Sequence, residues 1–159
     1  AVCGKPHVRW CGRTNGRNPV SPTRSCDEHG PYGAMVAVVW QPSQSCAWLH
    51  LSQLALHTRQ LLARPRACLV WSESAAGVAD PQTLLRVSVR VDVTVVARCE
   101  AAYASAREAY CARLPASAPL FGFGDFVLFR AVPTEIRAVF GFARALSVSA
   151  TDWFERLTL

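Results

Sequence analysis

The sequence predicts an α+β domain built mainly of antiparallel strands, and three observations carry that expectation. Leu85, Val87, Val89, Val91, Val93 and Val95 alternate with Arg86, Ser88, Arg90, Asp92 and Thr94. That is the period-two pattern of a strand with one buried face and one wet face. Two apolar runs, Ala34 to Trp40 and Cys46 to Leu51, flank the turn-forming stretch Gln41-Pro42-Ser43-Gln44-Ser45, as in a hairpin. Only two segments carry a helical period: one around Leu54, Thr58, Leu61 and Leu62, the other from Glu100 to Leu114.

At 159 residues the chain fits one domain. With 51% hydrophobic and 18% charged residues it sustains a sizeable core, which argues against general disorder. The longest apolar run, Ala34 to Trp40, falls well short of the ~18–20 residues that span a bilayer. No charged segment followed by an apolar stretch opens the sequence, so neither a signal peptide nor a membrane association is expected. The net charge is +6, from scattered arginines and a single lysine, Lys5. Scattered charge argues against nucleic acid as a partner. The seven cysteines are odd in number and include no Cys-x-x-Cys pair, which argues against a disulfide framework and a zinc knuckle. A cytoplasmic protein is expected.

Residues 1–30 are rich in Gly, Pro, Asn, Ser, Thr and Arg and have no sustained apolar period. They read as an irregular segment, with a strand around Asn18 to Ser25 as the alternative. Cys3, His7, Cys11, Cys26 and His29 match no metal-ligand spacing, so no metal site is expected. Gly30-Pro31-Tyr32-Gly33 is a turn that leads into the main domain, residues 31–146.

After the hairpin, Ser52 is a helix N-cap type. Leu54, Thr58, Leu61 and Leu62 then share one helical face, with His57 beside them and Arg59 pointing elsewhere. Pro65 stops this helix. Ala67 to Trp71 is a short buried strand, residues 72–81 a loop, and Leu85 to Val95 the long alternating strand. In the second helix Tyr103, Ala106 and Tyr110 mark the packing face. Pro115 to Pro119 reads as a loop, Asp125 to Ala131 as a strand after a glycine bend, and Glu135 to Ala145 as the last strand. Residues 147–159 form a tail whose Trp153 and Phe154 suggest a short docking helix.

A helix start favours anions, because its first N–H groups are unpaired and its dipole is positive there. Here Ser52, His57, Thr58 and Arg59 surround that start, and hydroxyls and a guanidinium suit phosphate oxygens. A capping serine, a packed threonine and a solvated arginine are the plainer alternative. The run LSQLALHTRQLLARPRACLVW resembles the strand–turn–helix–strand segment of the pyridoxamine 5′-phosphate oxidase-related, FMN-binding split-barrel family. Its haem-utilisation-associated branch is the most similar, through Ser52, Leu54-Ala55-Leu56-His57-Thr58-Arg59-Gln60-Leu61 and Pro65-Arg66. Gln60 stands where the usual residue is asparagine. Gly122-Phe123-Gly124-Asp125-Phe126 and Gly141-Phe142-Ala143-Arg144-Ala145 extend the resemblance.

The resemblance implies a split barrel of about six strands with two flanking helices. It implies FMN as cofactor, its phosphate held by Ser52, His57, Thr58 and Arg59, with Met35, Val36 and Ala37 against the flavin ring. It also implies a homodimer, because the family's flavin lies at a subunit interface. No nucleophile–base set, paired carboxylates or His-Glu-x-x-His motif is present in the sequence. That fits a protein whose cofactor does the electron chemistry. The expected function is an FMN-dependent oxidoreductase related to pyridoxamine 5′-phosphate oxidase, acting on a small molecule or electron donor not readable from the sequence. Two alternatives stay open: a haem-binding, haem-utilisation protein without flavin, and a non-catalytic flavin-binding barrel.

Overall fold

The computed structural model describes residues 33–73, 77, 79–140 and 144–157. Expectations for residues 1–30, for the turn at Gly30 to Tyr32 and for the bend at residues 141–143 lie outside the described residues.

In chain order the elements are β1 (Val39–Gln41), β2 (Cys46–Ser52), α1 (Leu56–Ala63), β3 (Arg66–Ser72), β4 (Arg86–Val96), α2 (Ala101–Arg113), β5 (Phe126–Phe140), β6 (Arg144–Ser149) and α3 (Ala150–Leu157). A 3-10 segment, Pro115–Gly122, joins α2 to β5. All pairings are antiparallel, in the order β1-β2-β5-β4-β3, with β6 added to β5. β5 organises the sheet. One of its edges pairs with β4 from Leu128 to Val139. The other pairs first with β2, from Phe126 to Ala131, and then with β6, from Glu135 to Phe140.

β2 is buried on both faces, because alternation sends its side chains into two cores. Ala47, Leu49 and Leu51 join Leu61, Leu69, Val89, Val91, Val93, Phe129 and Ile136 on one side. Cys46 and Trp48 join Val39, Val96, Ala106, Tyr110, Phe121 and Leu128 on the other, under α2 and the 3-10 segment. Trp153 of α3 packs against the first core.

Four expectations are corrected. The strand expected over Ala34 to Trp40 is reduced to Val39–Gln41, with an isolated bridge at Met35. The strand expected over Asp125 to Ala131 and the first part of that expected over Glu135 to Ala145 are one 15-residue strand through Pro133, while Arg144 and Ala145 belong to β6. Pro133 is tolerated because it lies beside the register shift at Arg90/Val91, in the gap between the β2 and β6 pairings. The stretch expected as a loop, together with Leu120 to Gly122, forms the 3-10 segment. The boundary expected at residue 146 falls inside β6, an exposed edge strand whose polar sequence hid it.

Candidate functional site at the start of α1

The turn between β2 and α1 is built around Ser52. Its hydroxyl donates to Asp125 Oδ2 at 2.6 Å and accepts from the Leu54 N–H at 3.2 Å. The Gln53 N–H donates to the Asp125 carbonyl at 2.8 Å, and the Ala55 N–H to the Ser52 carbonyl at 3.2 Å. Ser52 therefore closes the turn and does not cap the helix. The capping position falls to Ala55, whose side chain offers no acceptor. Leu54, expected on the buried helical face, lies in this turn and is 79% exposed.

The first intrahelical bond of α1 runs from the Arg59 N–H to the Ala55 carbonyl at 3.2 Å. The N–H groups of Leu56, His57 and Thr58 precede it and have no acceptor within the helix. Thr58 is fully buried, yet its hydroxyl finds no partner among the described residues. The Gln60 Oε1 is likewise buried and unpartnered. Such groups cost about 1–3 kcal/mol each when nothing satisfies them. Burial pulls the half-buried His57 below the usual imidazole value, so its ring is neutral at pH 7. Arg59 is exposed, and its side chain makes no hydrogen bond or ion pair among the described residues.

Of the residues expected to hold a cofactor, Ser52, His57, Thr58 and Arg59 thus lie together on the β2–α1 turn and the first turn of α1. Met35, Val36 and Ala37 lie in the extended stretch before β1. Met35 and Ala37 are exposed, while Val36 packs against the first core. The Ala37 carbonyl accepts from the Tyr110 hydroxyl at 3.4 Å.

Two residues gain importance only in three dimensions. Asp125 reaches Ser52 across the β2–β5 pairing. Its only signal in the sequence is its place in the Gly-Phe-Gly-Asp-Phe run. His50 shares the Trp48 face of β2 and is 6% exposed. Its ring stacks on Phe121 at 3.7 Å between centroids and 4° between planes, with Phe126 at 5.0 Å and Tyr110 at 6.0 Å. Burial first, and the Arg98 charge second, pull its pKa down to about 4. Burial also pushes the Tyr110 hydroxyl up to about 12. Among the described residues Cys46, Cys68, Cys99 and Cys111 form no disulfide. No helix among the described residues is long and apolar enough to cross a membrane.

No family model matches the chain. The Non-canonical heme oxygenase HOZ, chloroplastic, of Arabidopsis thaliana is 35% identical over 115 residues, which cover 72% of this chain and 33% of that protein. The chain thus spans about a third of the length of the curated relative it matches. Among solved structures, a heme binding protein from Mycobacterium smegmatis superposes with a TM-score of 0.74 at 19% identity, covering 95% of this chain and 55% of that one. HutZ, the heme storage protein from Vibrio cholerae, gives 0.69 at 16% identity, covering 89% of this chain and 92% of that one. A Clostridium acetobutylicum protein of the pyridoxinephosphate oxidase family, related to general stress protein 26, gives 0.59 at 11% identity, covering 92% and 87%. With its six-stranded antiparallel sheet and its β2–α1–β3 segment, the chain has the split-barrel fold of these solved structures, among them a pyridoxinephosphate oxidase family protein, and it resembles the haem-utilisation branch.

Proposed function

We propose that the chain is a haem-binding split-barrel domain that serves haem utilisation, and that the first turn of α1 is the part of the site it contributes. One observation carries this reading: His57 is a neutral, half-buried imidazole on the first turn of α1, two residues before an exposed arginine whose side chain has no partner among the described residues. Haem needs an axial ligand, most often His, Cys or Tyr. The other described histidine, His50, is sealed among aromatic rings. His57 would offer its ring nitrogen to the iron and Arg59 its guanidinium to a propionate. Leu54 and Leu62 add exposed apolar surface on either side of them in the chain. Bound haem supplies a redox-active iron; the chain supplies ligand, counter-charge and apolar surroundings. The relative and the two structures named for haem support the reading. The reading includes a homodimer, to be checked by sedimentation equilibrium.

FMN is the second reading, favoured by the exposed Arg59 at the α1 start, where the first N–H groups have no acceptor within the helix. A guanidinium and unpaired helix N–H groups together suit a phosphate. The absorption spectrum after incubation with haemin or FMN and desalting separates the two. A retained Soret band is expected. Retained flavin bands without it would replace haem by FMN. Arg59→Ala is expected to weaken haemin binding about tenfold, about 1.4 kcal/mol, without changing the unfolding midpoint. Unchanged affinity would remove Arg59 from the site.

A further inference from the structure

We propose that Asp125 is a specificity-determining residue that disfavours a phosphate group at the β2–α1 turn and so turns this site away from phosphorylated cofactors. The proposal rests on the reading of the α1 start as the cofactor site. Three observations on the turn carry it. The Ser52 hydroxyl, which would otherwise be a phosphate donor, gives its proton to Asp125 Oδ2 at 2.6 Å. Its oxygen accepts from the Leu54 N–H at 3.2 Å, which fixes the hydroxyl in the turn. The Asp125 backbone is fixed on the same turn by the Gln53 N–H at 2.8 Å, so the carboxylate is held in place by two attachments. The turn therefore presents an acceptor-only, anionic group where a phosphate would need a donor.

Repulsion between like charges grows as they leave bulk water, and it grows with the charge on the ligand. A phosphate dianion is opposed more strongly than a ligand whose acidic groups each carry one charge on a flexible arm. Arg59 and the N–H groups at the α1 start without an acceptor in the helix still attract anions in general. Asp125 grades that attraction by charge and by its need for hydrogen-bond donors.

The test uses FMN and riboflavin, which share a ring system and differ in the phosphate. Each is titrated into the whole chain by fluorescence quenching, and haemin is titrated in parallel by its Soret band. Asp125→Asn keeps the size and an acceptor for Ser52 but removes the charge. It is expected to raise the preference for FMN over riboflavin about tenfold or more, with haemin affinity changed less than about threefold. Should Asp125→Asn not fold, Asp125→Ser removes the same charge and is read in the same way. A folded neutral variant with an unchanged FMN-to-riboflavin preference, or with no FMN binding at all, overturns the proposal. If haemin then still binds the wild type, the haem reading stands alone. Conversely, a raised preference in a protein that binds no haemin overturns the haem reading and leaves the role of Asp125 standing.

Discussion

His50 on β2 and His57 on α1 lie close in the chain and in opposite environments. His50 is sandwiched by Phe121 under α2, its two nitrogens buried and without partners. His57 is half-buried on the first turn of a short helix that no side chain caps. Burial lowers the pKa of both, but the first is pulled to about 4 and walled in. The difference teaches that a neutral histidine becomes a ligand through access. The aromatic enclosure makes His50 part of a wall, and the open helix start leaves His57 with chemistry to offer.

The most damaging way to break this comparison is to remove the wall. Phe121→Ala deletes a buried ring that stacks on His50 and meets Tyr110 at 5.8 Å. It is expected to cost about 3–5 kcal/mol in urea unfolding. A cost below about 1 kcal/mol would mean that the enclosure is not a packed unit.

A pH series is expected to show the next largest effect. The folded-state pKa of His50, about 4, lies below the ordinary 6.5. As pH falls, the unfolded chain therefore takes up this proton first. The stability that neutral His50 contributes is present above about pH 6.5 and is lost as pH falls towards 4, by up to about 3 kcal/mol. His57 acts with the same sign. Between pH 7 and pH 4.5, His50→Leu is expected to lose about 2–3 kcal/mol less than the wild type, since the other groups titrate in both proteins. Equal losses would show that the ring is solvated.

The smallest effect sharpens the other half of the comparison. Thr58→Val replaces a buried, unpartnered hydroxyl by a methyl group of the same shape. It is expected to stabilise the ligand-free protein by about 1 kcal/mol. A destabilised variant would show that the hydroxyl has a partner when the protein is free of ligand.

The parts of the fold that the sequence made legible are those where one physical effect dominates. The alternation from Val87 to Val93 is visible because β4 buries one face there, but it fails at its end, where Val95 is exposed and Val96 enters the second core. The Tyr103, Ala106 and Tyr110 stripe is visible because α2 packs one side on the sheet. The misread parts are those where tertiary context overrides a local signal. Pro133 suggests a break, but it lies where the outer edge of β5 has no partner strand. Leu54 fits the helical period, but the Ser52–Asp125 clasp delays the helix to Leu56. The grouping of Ser52, His57, Thr58 and Arg59 was readable because they are adjacent in sequence. The contribution of Asp125 was not, since it arrives through the register of β2 against β5.

That register has a consequence for how the chain acquires its structure. β5 is the shared partner of β2, β4 and β6, and it lies late in the chain. Until residues 126–140 are available, β2 and β4 have no strand between them and the two cores on either side of β2 have no floor. Closing such distant pairings requires loop entropy to be lost before contacts repay it, which slows folding. During synthesis, the apolar faces of β2 and β4 therefore wait, unpaired with β5, for a strand that emerges last among the long ones. In this interval the unpaired strand edges and uncovered apolar surface favour aggregation.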